Sequence, residues 1–224
     1  MTDTLSLVER LLPDSAANNA SARQLSAATR VALPAIVQSF DATMQTVVVQ
    51  PALLENVRIN DLQQNVDLGL IADVPVLVYR GGGFSLTLPI QEGDECYLLF
   101  ADGCIDAWFQ SGGVQARIDG RRHSLSDAIA IFGLGSAPRS LASYSATAMQ
   151  LRSNDGLTVV EVGAGEVTIK ATTVNVQGQT VNVTGSTQVV ISGNDQTTID
   201  GVNFLEHTHS GVTAGGGVTG PVVP

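Results

Sequence analysis

Val174-Asn175-Val176-Gln177-Gly178-Gln179-Thr180 is followed at once by Val181-Asn182-Val183-Thr184-Gly185-Ser186-Thr187. Val167-Thr168-Ile169 stands seven residues before the first of these units, and Val189-Val190-Ile191-Ser192-Gly193 continues the series after the second. Within each unit apolar residues alternate with Asn or Thr, so an extended chain has one apolar face and one polar face. Between Gly156 and Asp200 there is no aromatic residue and no helical pattern. One chain alone therefore buries too little surface to offset an ordering entropy of about 1–2 kcal/mol per residue. Other copies must supply the missing walls. Three chains wound about one axis turn every Val and Ile inward, leave Asn, Thr and Gln outside, and use Gly178, Gly185 and Gly193 for the turns. Seven-residue units are too short for a full three-walled coil of a single-chain solenoid, and the alternation is too regular for a disordered tail. Residues 151–206 are expected to form an intertwined trimeric β-helix.

The series runs into Glu206-His207-Thr208-His209-Ser210-Gly211. Two positions apart on a strand, His207 and His209 project from the same face. Taken alone, such a pair reads as two solvated residues at the start of a Gly-rich end. Threefold symmetry changes that reading, because three chains bring six imidazoles to the axis, enough for a closed octahedral shell. Six nitrogen donors disfavour zinc, which prefers four, and geometry with abundance selects iron, one Fe ion per trimer. A shell with no open position is structural and not catalytic. Residues 207–224 are expected to be an apical metal-binding tip.

Upstream the pattern differs. Leu5, Val8, Leu11 and Leu12 have helix-like spacing before Pro13, which predicts a helical segment within residues 1–30. From Leu33 to Phe109 there are short β-type runs: Ala35 to Val37, Thr46 to Val49, Val74 to Tyr79, Phe84 to Ile90 and Glu95 to Phe100. Turn chemistry separates them at Gly81-Gly82-Gly83, Glu92-Gly93-Asp94 and Asp102-Gly103. Five strands in so short a span predict a closed barrel over residues 31–115, for which the oligonucleotide/oligosaccharide-binding (OB) fold is the common solution. Composition thins after Gly133, and residues 116–150 are expected to be a connector. The fold class is thus all-β: a helical N-terminus, an OB-fold barrel and a trimeric β-helix ending in a metal-bound tip.

The 224 residues carry a formal net charge of −10, which argues against a phosphate-neutralising surface and hence against nucleic acid as a partner. No stretch has the pattern of a secretion signal or a membrane-spanning helix. Cys96 and Cys104, the two cysteines, cannot complete a structural metal site, and are expected to be reduced packing residues.

Enzyme signals are weak. His123 and Ser124, with Asp119 and Asp127 nearby, suggest a Ser-His-Asp site, but chain neighbours seldom form a nucleophile–base pair, and a structural hydrogen-bonding role is expected for His123. Trp108 is expected to anchor the core. Gly81 to Gly83 lack the Lys and helix start of a phosphate loop and read as a hairpin turn. The acids Glu161, Glu166, Asp195, Asp200 and Glu206 are scattered, unlike the paired carboxylates of a glycosidase. No catalytic residue and no small-molecule substrate is expected.

Several stretches in this order resemble one family: Leu33-Pro34-Ala35-Ile36-Val37-Gln38-Ser39-Phe40-Asp41, Val74-Pro75-Val76-Leu77, Gly82-Gly83-Phe84-Ser85-Leu86-Thr87-Leu88-Pro89-Ile90, Gly93-Asp94-Glu95, Ile105-Asp106-Ala107-Trp108, Arg121 to Ala128, and His207-Thr208-His209. The chain resembles the membrane-puncturing central spikes of contractile-tailed bacteriophages, of the type with a small barrel, a trimeric β-helix and no lysozyme domain. The resemblance implies a homotrimer at the baseplate tip of the virion, assembled in the host cytoplasm and joined to baseplate hub and tail tube proteins. It implies that sheath contraction drives the needle through the host outer membrane, with iron held by His207 and His209. Secretion and bacteriocin machines use similar spikes. The rival readings are a trimeric tailspike or fibre that degrades polysaccharide, and a baseplate adaptor.

Overall fold

The computed structural model describes residues 29–60, 62–193 and 197–203, together with Asn19. Apart from Asn19, Thr29 and Arg30, the expected N-terminal segment lies outside the described residues, as does the expected tip. The chain divides into two compact units between Tyr144 and Ser145. Among the described residues strand is the dominant element, and helix is almost absent.

In chain order the first unit comprises β1 (Ala32–Asp41), β2 (Thr46–Pro51), β3 (Glu55–Ile59), β4 (Leu62–Val66), β5 (Ile71–Pro75), β6 (Tyr79–Gly81), β7 (Phe84–Leu86), β8 (Glu95–Phe100), the short helix α1 (Asp106–Ser111) and β9 (Ala128–Phe132). Five strands form one sheet in the order β5-β2-β1-β8-β9, while β3–β4 and β6–β7 are separate two-stranded hairpins. Alternation decides which side faces in. Leu33, Ala35 and Val37 of β1, Val47 and Val49 of β2, Cys96, Leu98 and Phe100 of β8, and Ala128 and Ala130 of β9 are buried together with Ile71 and Val74 of β5. An irregularity between Val37 and Ser39 breaks the β1–β2 register, and another between Val47 and Val49 breaks that of β2–β5. Bulges of this kind bend a strand and increase its twist.

The sheet therefore curls into a half-barrel around its own apolar face. Its edges approach one another through a parallel bridge between Val76 and Ala130, and the amide of Leu77 donates to the carbonyl of Ala130 at 2.9 Å. Gly82 and Gly83 both have positive φ, 59° and 85°, and close the β6–β7 hairpin, as the glycine run predicts.

The barrel strands differ in part from the runs read in the sequence. The fifth sheet strand is β9, from the segment 116–150 assigned to the connector, with Cys96 opposite Phe132 and Phe100 opposite Ala128. The run Phe84 to Ile90 yields only three strand residues, in a hairpin outside the sheet. Ala128-Ile129-Ala130-Ile131-Phe132 is a continuous apolar run, which periodicity alone does not mark as half-buried; pairing with β8 makes it a strand.

Leu98 is fully buried on β8, an interior strand of the sheet. Leu98→Ala is expected to destabilise the first unit by about 3 kcal/mol, because the surrounding strands cannot collapse into the cavity, with thermal denaturation as the readout.

Candidate functional site

The second unit begins with a meander of β10 (Met149–Arg152), β11 (Val159–Gly163) and β12 (Glu166–Lys170). Cross-strand register sets Met149 against Val162 and Val162 against Val167; Leu151 faces Val160, and Val160 faces Ile169. Partners across a ladder share a face, and residues two apart on a strand share it too. All six apolar side chains therefore lie on one face. The opposite face carries Gln150, Glu161 and Thr168, with Arg152 and Lys170 at its end. Gln150 donates to Glu161 there, and Thr168 donates to Glu166 at 3.1 Å.

The apolar face is bare. Exposure runs from 36% at Val160 to 71% at Met149, and all six are exposed. Beyond β12, residues 171–193 have no regular structure in the single chain, and Val174, Val176, Val181, Val183, Val189, Val190 and Ile191 are exposed as well. A small hairpin, β13 (Thr198–Ile199) with β14 (Val202–Asn203), follows. Its turn holds Asp200 at φ 49°. His207 and His209 lie outside the described residues, as do Asp195 and Glu206.

In the first unit the charged side chains converge on Arg121. Its Nε donates to Asp127 at 2.7 Å, its Nη1 reaches Asp119 at 2.8 Å, and its Nη2 lies 2.6 Å from Asp106. Asp127 is fully buried and also accepts the amide of Ile105 at 3.0 Å. Burial by itself would raise the Asp127 carboxyl, but the Arg121 hydrogen bonds and the Ile105 amide outweigh it and hold the group below the usual carboxylate range. The same pairing raises Arg121 above the ordinary arginine value. This cluster clamps the start of α1 to the turn that leads into β9.

The grouping of Ser124, His123, Asp119 and Asp127 is consequently not assembled. Both acids are engaged by Arg121. Ser124 Oγ accepts from the amide of Ser126 and lies 2.9 Å from Ser126 Oγ. His123 has φ 47°, donates its backbone amide to Ala101 at 3.2 Å, and places Nε2 3.7 Å from Asp102. Cys104, Asp106 and Asp127 bring potential ligand atoms together, but the cation serving both carboxylates is the Arg121 guanidinium. The sequence signal for this cluster, an Arg and an Asp six residues apart, is too common to single out.

Cys96 and Cys104 are free and buried, and burial pushes the Cys96 thiol up to about 11, which makes it unreactive. Trp108 differs from its expected core position: it is 52% exposed, on a six-residue helix that has no buried residue. So short a helix has no full apolar stripe to bury, and its bulkiest side chain remains outside.

Asp127→Asn is expected to cost about 3 kcal/mol, since it leaves Arg121 opposite a buried neutral amide. The Asp127 contribution is complete above the unfolded carboxylate value of about 3.9 and is lost as pH falls through the lower folded value. Acid titration of the variant should therefore show a flatter loss of stability below about pH 4 than the parent protein does.

No curated protein matches the chain. Residues 33–133 match the family model described as the phage protein Gp138 N-terminal domain, a span that begins inside β1 and ends just after β9. Over its curled sheet the chain is thus similar to a phage protein domain, a likeness that supports a phage structural protein of the tail or baseplate type.

Proposed function

We propose that the chain is the membrane-piercing spike at the tip of a contractile phage tail, active as a homotrimer. The observation that carries this reading is the uncovered six-residue face of β10–β12, continued by the exposed Val and Ile series to Ile191. Full burial of such a side chain stabilises by about 1.5–3 kcal/mol, so the half-bare face represents roughly 5–10 kcal/mol per chain awaiting cover. Two further copies provide that cover with the same surface, as cyclic symmetry requires. The Asn, Thr and Gln of each repeat then face water along an intertwined β-helix.

The half-barrel supports an OB fold. Its connectivity and the Val76–Ala130 bridge between edge strands are those of a small, partly open five-stranded barrel. Such a barrel is the attachment module to baseplate hub and tail tube proteins, and the needle is the part driven by sheath contraction through the outer membrane. The net charge of −10 on each chain disfavours adhesion to an anionic surface, which suits mechanical passage.

His207 and His209 fit a structural iron ion by the chemistry of their donors: two neutral imidazoles per chain, six in the trimer. Bound there, the ion would tie together three chain ends that otherwise fray under load. No step of catalysis is required of it.

Native mass spectrometry of untagged protein is the test, since one spectrum reports chain number and bound metal. Three chains with one iron-sized mass are expected; a monomer would overturn the reading. Val162→Asp, which places a charge on the bare face, is expected to abolish the trimer, whereas Thr168→Asp on the polar face should leave it intact. A chain with both His207→Ala and His209→Ala is expected to remain trimeric and lose its iron by elemental analysis; unchanged metal content would remove the histidines from the proposal.

A further inference from the structure

The sheet of the first unit is apolar on both sides over three neighbouring strands. Its inward residues form the core, and the positions between them are apolar too. Register sets Ala32 beside Leu99 and Leu99 beside Ile129; Pro34 lies beside Tyr97, and Tyr97 beside Ile131. Cross-strand partners share a face, and so do residues two apart on a strand, so these six side chains lie together on the outer side of β1, β8 and β9. None of the six is buried, and Leu99 is 43% exposed. A groove of about 400 Å³ opens over Pro34, Ile36 and Tyr97 and is lined also by Ala52 and the exposed Leu134. An antiparallel sheet with one solvated face alternates apolar with polar residues, and this stretch does not.

The dimensions of the patch select what covers it. It is three strands wide, about 10 Å at the usual strand spacing, and runs about 13 Å from Ala32 to Ile36. That is far smaller than the about 800 Å² per partner of a standard interface between separate chains. One short helix fits it, being about 10 Å across and about 12 Å long over eight residues. The same chain holds eight residues of suitable pattern: Leu5, Val8, Leu11 and Leu12 recur at helical spacing and place a stripe of roughly 120° on one side.

The chain also enters the unit beside the patch. Arg30 pairs with Glu55 at 2.9 Å, and the carbonyl of Val31 accepts the amide of Phe100 at 3.0 Å, so the backbone before β1 is held in line with the row of Ala32, Leu99 and Ile129. Seventeen residues separate Leu12 from Arg30 and span about 25 Å even when helical, so the leucines reach any part of the patch. We propose that residues 5–12 dock as one helical turn-and-a-half or more across the outer face of their own sheet, with Leu5, Val8, Leu11 and Leu12 against Pro34, Tyr97 and Leu99. The tether supplies the high effective concentration that so small a contact needs. This docking concerns the first unit alone and does not depend on the three-copy reading above.

The test is maleimide labelling of a full-length chain carrying Leu99→Cys. Cys96 and Cys104 are buried, and their silence reports that the unit stays folded. The new thiol is expected to react at least tenfold more slowly than the same thiol in a chain that also carries Val8→Asp and Leu12→Asp. Equally fast labelling in both chains would overturn the docking, and equally slow labelling would overturn it in favour of cover by another copy or protein. A check without added charge joins Val8→Cys to Leu99→Cys with a short bismaleimide. Linkage within one chain is expected; linkage only between chains, or none while both thiols label, would overturn the proposal. Each of these results leaves the three-copy reading standing, since native mass spectrometry decides that separately.

Discussion

Six apolar side chains on one face of the β10–β12 meander have no layer beneath them among the described residues, and the second unit is organised around that shortage. A three-stranded sheet without a helix or second sheet cannot hide its apolar side from water. The residues after it do nothing to relieve the problem, since Val174 to Ile191 add exposed apolar surface instead of covering what is already bare. Repetition makes the shortage systematic. A sequence that alternates Val with Asn or Thr over successive short units presents the same uncovered edge at every level, so any cover has to repeat at the same interval, which identical chains in the proposed trimer do.

The first unit solves the same problem within one chain. Its sheet is long enough and irregular enough to curl, with register breaks in the β1–β2 and β2–β5 pairings, so that Leu33, Val37, Val49 and Leu98 pack against each other across the inside of the bend. The Val76–Ala130 bridge draws its edges together. What this unit leaves outside is local: two hairpins and the groove beside one of them.

Arg121 takes a part in the first unit that apolar packing does not. A buried carboxylate at Asp127 is costly unless it is paired and hydrogen-bonded, and here it has both the guanidinium and the Ile105 amide. The pairing ties the segment after β8 to the turn before β9, which delivers β9 to the sheet in register. It also occupies Asp119 and Asp127, the acids that lie closest in sequence to His123, while the carboxylate beside that imidazole is Asp102, 3.7 Å from Nε2.

Much of this was legible from residue order. Period-two alternation in β1, β2 and β8 marks their inward faces, the double glycine before Phe84 marks a hairpin, and the Val/Asn repeat marks a surface that one chain leaves uncovered; each is a local pattern, and local patterns survive in a string of letters. Tertiary structure decided the rest. It recruited Ala128–Phe132 as the fifth strand, turned Trp108 outward, gathered Asp106, Asp119 and Asp127 around Arg121, and aligned Met149, Leu151, Val160, Val162, Val167 and Ile169 on one face. These outcomes depend on pairing register and on contacts between distant residues, and a one-residue shift in register would send every side chain of a strand to the other face.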